Sequence, residues 1–68
     1  MKQKRLTAKM VREILDAITA EEYAAAMNLC EIWRISPREW CFLLHNNTQK
    51  PEVLAEYINT KRRERQTQ

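Results

Sequence analysis

No glycine occurs anywhere in the 68 residues. Sheet-rich folds lean on glycine at tight turns and bulges, whereas a helix interior loses about 1 kcal/mol to each one. The absence points to helices. It also excludes glycine-rich phosphate loops, where a side chain would keep the backbone away from the phosphate. Where a helix end needs the left-handed conformation another residue must take it, and Asn28, Asn46, Asn47 and Asn59 are the expected stand-ins. No apolar run approaches the ~18 residues of a membrane span. The opening Met1-Lys2-Gln3-Lys4-Arg5 passes into an amphipathic stretch rather than a signal core, so a cytoplasmic chain with no membrane partner is expected.

Catalytic side chains are equally scarce. A nucleophile, a base and an orienting group must be held together for acyl transfer, and His45 is the only histidine. It stands beside Asn46 and Asn47, where a helix end favours it as a cap. Cys30 and Cys41 sit in apolar helical patterns with no CxxC, so two reduced, buried thiols are expected and no metal site. No enzyme and no cofactor are expected.

Charge is what the chain has in quantity. The formal net charge is +3, and its arrangement is segregated. Lys2, Lys4, Arg5, Lys9 and Arg12 open the chain without an acid among them, and Lys61, Arg62, Arg63 and Arg65 close it around a lone Glu64. The body between is acidic. Basic ends on an acidic body suit a polyanion such as DNA.

Apolar periodicity then sets the elements. Met10, Val11, Ile14, Leu15 and Ile18 form one stripe of a first helix that starts at about Thr7, an N-cap. Thr19-Ala20-Glu21-Glu22 reads as a capping box opening a second helix to about Trp33. A single helix over 7–33 stays open, because neither proline nor glycine enforces a break. Ser36-Pro37-Arg38-Glu39 combines an N-cap serine, proline at the first helical position and glutamate at the third, so a third helix runs from Pro37 to about His45. Its run Trp40-Cys41-Phe42-Leu43-Leu44 is apolar on nearly every side, as expected of a central helix. A turn, Asn46 to Lys50, leads into a fourth helix near Pro51 with Val53, Leu54, Tyr57 and Ile58 as its apolar positions. The expected fold is one all-α domain over 1–68 with four helices and the third at its centre. Residues 1–6 and 64–68 are expected to be frayed basic ends.

Residues 35–58 carry a resemblance. Ile35-Ser36 supply an apolar residue and a cap, Glu39-Trp40-Cys41 a glutamate, a large apolar residue and a small one, and Leu43-Leu44 paired apolar positions before a polar turn. This order resembles the helix-turn-helix of phage repressor and Cro-type proteins, although His45 stands where that family has glycine and the turn is longer. The resemblance implies a small DNA-binding transcriptional regulator whose fourth helix reads the major groove through Thr48, Gln49 and Lys50. Lys61, Arg62, Arg63 and Arg65 would neutralise phosphates. A register with 37–46 as the recognition helix is set aside, because Trp40 to Leu44 leave little polar face to read bases. The alternative is a protein-interaction module, an adaptor or inhibitor docking through the acidic body and an aromatic patch of Trp33 and Phe42, with a homodimer mate or another protein as partner. Convergence of both basic ends on the face bearing 48–50 favours DNA; ends that point apart favour the module.

Overall fold

A computed structural model describes residues 5–66. Four helices occur in it: α1 (Ala8–Thr19), α2 (Tyr23–Ile32), α3 (Pro37–His45) and α4 (Pro51–Gln66), with no strand among the described residues. The domain is a small all-α fold, and none of these helices is long and apolar enough to cross a membrane.

Local chemistry accounts for most of the boundaries. Thr7 accepts the Met10 amide through its hydroxyl and starts α1. Ser36 and Glu39 exchange reciprocal bonds, the Glu39 N–H donating to Ser36 Oγ at 3.2 Å and the Ser36 N–H to Glu39 Oε1 at 3.0 Å. The joint between α1 and α2 corrects the sequence reading. Thr19 is the last residue of α1 rather than a cap of α2, and Glu22 heads α2 without a side-chain capping bond. Two helices occupy 8–32, not one.

Both ends of α2 are set by left-handed residues. Glu21 (φ 59°) follows α1 and Arg34 (φ 57°) follows α2. At the first, the Glu22 and Glu21 amides donate back to Ala17 and Ile18; at the second, the Ile35 and Arg34 amides donate to Cys30 and Glu31. Each is a Schellman closure, normally built on glycine or asparagine. None of the asparagines takes the role. Asn46 caps α3 at φ −124°, and Asn28 and Asn59 lie within helices. A charged residue accepts the left-handed strain, about 1–2 kcal/mol, because the closure satisfies carbonyls that would otherwise be orphaned.

The centre of the fold is α1, not α3. Val11, Ile14, Leu15, Ala17 and Ile18 are all buried, and α1 packs against each of the other helices. From α3 only Leu43 and Glu39 are buried, while Trp40, Phe42 and Leu44 are half-buried against the core. A helix that is apolar all round was expected to be enclosed on all sides. Here the wide apolar face spreads over the edge of the α1–α4 packing instead. Leu54, Ala55 and Ile58 of α4 and Ala26 and Cys30 of α2 complete the core. Cys41 is exposed, so only one of the two free thiols is a core group.

The expected frayed ends are partly structured. Leu6 is buried with only 1% of its surface exposed, and α4 continues through 64–66. Residues 1–4, 67 and 68 lie outside the described residues.

Candidate functional site

Two interactions fix where the basic segments lie. The first is an amide clamp. Asn59, buried on α4, accepts the Leu6 N–H at its Oδ1 at 3.0 Å and donates from Nδ2 to the Leu6 carbonyl at 2.7 Å. A side chain that satisfies both backbone groups of one residue fixes that residue's direction. The clamp therefore holds the start of α1, with Arg5, against the second half of α4.

The second interaction is an ion cluster on Glu39. Arg62 Nε donates to Glu39 Oε2 at 2.8 Å and Nη2 to Oε1 at 2.9 Å, a bidentate fork. The same Nη2 reaches the Arg34 carbonyl at 3.3 Å, and Arg65 adds a contact to Glu39 at 3.3 Å. Burial pushes the Glu39 carboxyl up. The Arg62 hydrogen bonds, the Ser36 amide and the charges of Arg62 and Arg65 outweigh that and hold it below its usual range. The cluster ties the last turns of α4 to the start of α3 and to the α2–α3 turn. The clamp and the cluster thus tie together the segments that carry Arg5, Arg34, Arg38, Lys61, Arg63 and Arg65, all of them exposed.

Besides Glu31, Glu39 and Glu64, the acids of the described residues lie in other segments. Glu13, Asp16, Glu21 and Glu22 occupy the latter part of α1 and its joint with α2, and Glu52 and Glu56 the first turns of α4. Along α1 the bases Lys9 and Arg12 precede the acids, whereas along α4 the acids Glu52 and Glu56 precede Lys61, Arg62, Arg63 and Arg65.

Beside the basic end, α3 and α4 enclose an open groove of about 590 Å³. Arg38, Cys41, Phe42 and His45, one stripe of α3, form one wall; Tyr57, Lys61 and Arg65, one stripe of α4, form the other. Phe42 stacks on Tyr57 with centroids 4.4 Å apart and planes at 16°. Lys61 Nζ lies 5.5 Å from the Tyr57 ring centre and 3.8 Å from Glu64.

The residues expected to bind DNA do not form one surface. Arg62 is 6% exposed and committed to Glu39, so it cannot meet a phosphate; a charged position in a basic tail was read as solvated when it is an internal tie. Lys61, Arg63 and Arg65 are exposed at the basic end. Thr48, Gln49 and Lys50 are exposed too, but in the turn ahead of α4 rather than on its first turn, and Gln49 bonds Asn46 at 3.0 Å. Nine residues of helical rise, roughly 13 Å, separate Lys50 from Asn59. The start of α1 is tied to α4 at Asn59, not at the turn 48–50. Of the aromatic pair, Trp33 and Phe42 are both half-buried, and Phe42's ring partner is Tyr57.

No family model, no curated protein and no solved structure matches this chain.

Sequence reasoning placed Arg5 in a basic end but missed Arg34 and Arg38 as its neighbours and Asn59 as the tie. A buried polar residue among the apolar positions of α4 was the available signal, since such a group needs an internal partner.

Proposed function

We propose that this chain is a small cytoplasmic DNA-binding regulator of the helix-turn-helix kind that grips phosphates through its arginine-rich end. One observation carries the reading: the Asn59 clamp joins two basic segments that lie at opposite ends of the sequence, and the Glu39 cluster fixes the second of them against α3. Folding like charges together opposes stability, and a polyanion offsets that repulsion.

The helix-turn-helix unit in this reading is α2, the turn 33–36 and α3, which replaces the 35–58 register expected from the sequence and takes up the one set aside there. Its turn has four residues with Arg34 left-handed, close to the three or four typical of the motif, against five between α3 and α4. The recognition segment becomes the first turn of α3, where Pro37 and Arg38 are exposed. The later part of that face, Phe42 and His45, borders α4 across the groove, so base reading is confined to the first turn and phosphate contacts dominate. The protein-interaction alternative is less favoured, because Phe42 is already stacked on Tyr57.

A fluorescence-anisotropy titration of labelled duplex DNA against salt tests the proposal. Each phosphate neutralised contributes about 0.9 to the slope of log affinity against log salt. Binding that weakens steeply with salt is the expected outcome. Absence of binding at about 50 mM salt, where the electrostatic contribution is largest, removes the reading.

A further inference from the structure

We propose that the groove between α3 and α4 is a binding site for a small planar aromatic anion, a ring system bearing a carboxylate or similar group. The volume, about 590 Å³, lies within the range of small-molecule pockets, roughly 300–1,000 Å³. The wall supplies two kinds of contact, and they sit side by side. Phe42 and Tyr57 line it as a stacked pair, together with the exposed Cys41, a surface suited to an offset or edge-on ring. Arg38, Lys61 and Arg65 supply three cations.

Charge decides the class of ligand. The two acids at the groove are both engaged: Glu39 receives Arg62 and Arg65, and Glu64 lies 3.8 Å from Lys61. Arg65 gives Glu39 one contact and has five N–H donors in its fork. Its side chain is 58% exposed and that of Lys61 52%, so both retain donors for a further oxygen. A cationic ligand would face three like charges, and a purely aliphatic one would leave the rim unused. A ring laid against the stacked pair with its anion at Lys61 and Arg65 uses both. The site stands without the DNA reading, although the two share Arg38, Lys61 and Arg65.

Titration of the full chain with 2-naphthoate, followed by amide ¹H–¹⁵N shifts, tests the site without any DNA present. Saturable shifts confined to 38–46 and 57–65 are expected. The double variant Lys61→Gln/Arg65→Gln and the uncharged analogue 2-naphthamide should each bind about tenfold more weakly, a loss of one decade in Kd. Tyr57→Ser, at a half-exposed position, should weaken binding while leaving the helical circular dichroism spectrum intact. Equal affinity for the amide and the carboxylate, shifts centred on the exposed Tyr23 and Met27 of α2, or no saturation above millimolar concentration would each overturn the proposal.

Discussion

Glu39 has two tasks where the sequence shows one. As the third residue of α3 it completes a capping box, which is legible locally; as the acceptor for Arg62 and Arg65 it ties α3 to α4, and no spacing in the sequence announces that. Removing one member of a buried pair leaves the other charge stranded, at a cost of about 3–5 kcal/mol. A domain of this length has roughly 3–10 kcal/mol in all, so Arg62→Ala should leave the chain largely unfolded in a thermal melt. Glu39→Gln gives the pH signature. The carboxyl is held below its usual range when folded, so the stability it contributes is full above the unfolded value, about 4.3, and is lost as pH falls through the lower folded value. The difference in melting temperature between wild type and Glu39→Gln should therefore be largest near pH 7 and shrink below pH ~4. A constant difference would mean that packing, not charge, makes the contribution. The cysteines separate at this scale too. Burial pushes the Cys30 thiol up, whereas Cys41 is exposed. Iodoacetamide should label Cys41 in the native protein and Cys30 only after denaturation, as read by peptide mass spectrometry.

The helices themselves were legible because their signals are local. Thr7 and the Ser36–Glu39 box fix two starts through bonds spanning three residues. The α1–α2 joint was not, because Thr19-Ala20-Glu21-Glu22 satisfies the capping-box pattern while the chain uses a Schellman closure that the absence of glycine had concealed. Which helix lies at the centre was not legible either. Apolar content made α3 look enclosed, but burial follows the facing surfaces, and the clean stripe of α1 meets all three neighbours while half the face of α3 remains at an edge. The closure at Glu21 is directly testable. Relieving a left-handed non-glycine residue is favourable by about 1–2 kcal/mol, partly offset by the extra unfolded-chain freedom of glycine. Glu21→Gly should raise the melting temperature, while Glu21→Val should lower it, since a β-branched side chain is the worst suited to positive φ. A drop for both would show that the Glu21 side chain, not its backbone, matters at the joint.

Over the whole molecule the segregated charge of the sequence becomes a segregated charge in space, and the tie between the two is Asn59. Composition and order showed that the ends were basic, but not that Leu6 would be held against α4 or that one arginine would be spent inside. This separates Arg62 from Arg63, two neighbours that look alike as letters. Arg63, exposed at the basic end, should behave as a phosphate contact: Arg63→Ala weakens binding to every duplex alike and makes the salt dependence shallower by about 0.9. Arg62→Ala should instead lower the fraction of folded protein, so that its apparent loss of binding follows the melting curve. Gln49→Ala, at the turn about 13 Å up the axis of α4 from the clamp, should change neither affinity nor salt slope. Asn59→Leu keeps every charge and removes the amide clamp on Leu6. If placement of the basic ends matters, that variant should lose the contribution of Arg5, and Arg5→Ala should then add nothing further in the double variant, because additivity fails for coupled positions. Full additivity of Asn59→Leu and Arg5→Ala would mean that the arm contacts DNA from wherever it lies, and that net charge rather than the folded arrangement governs binding.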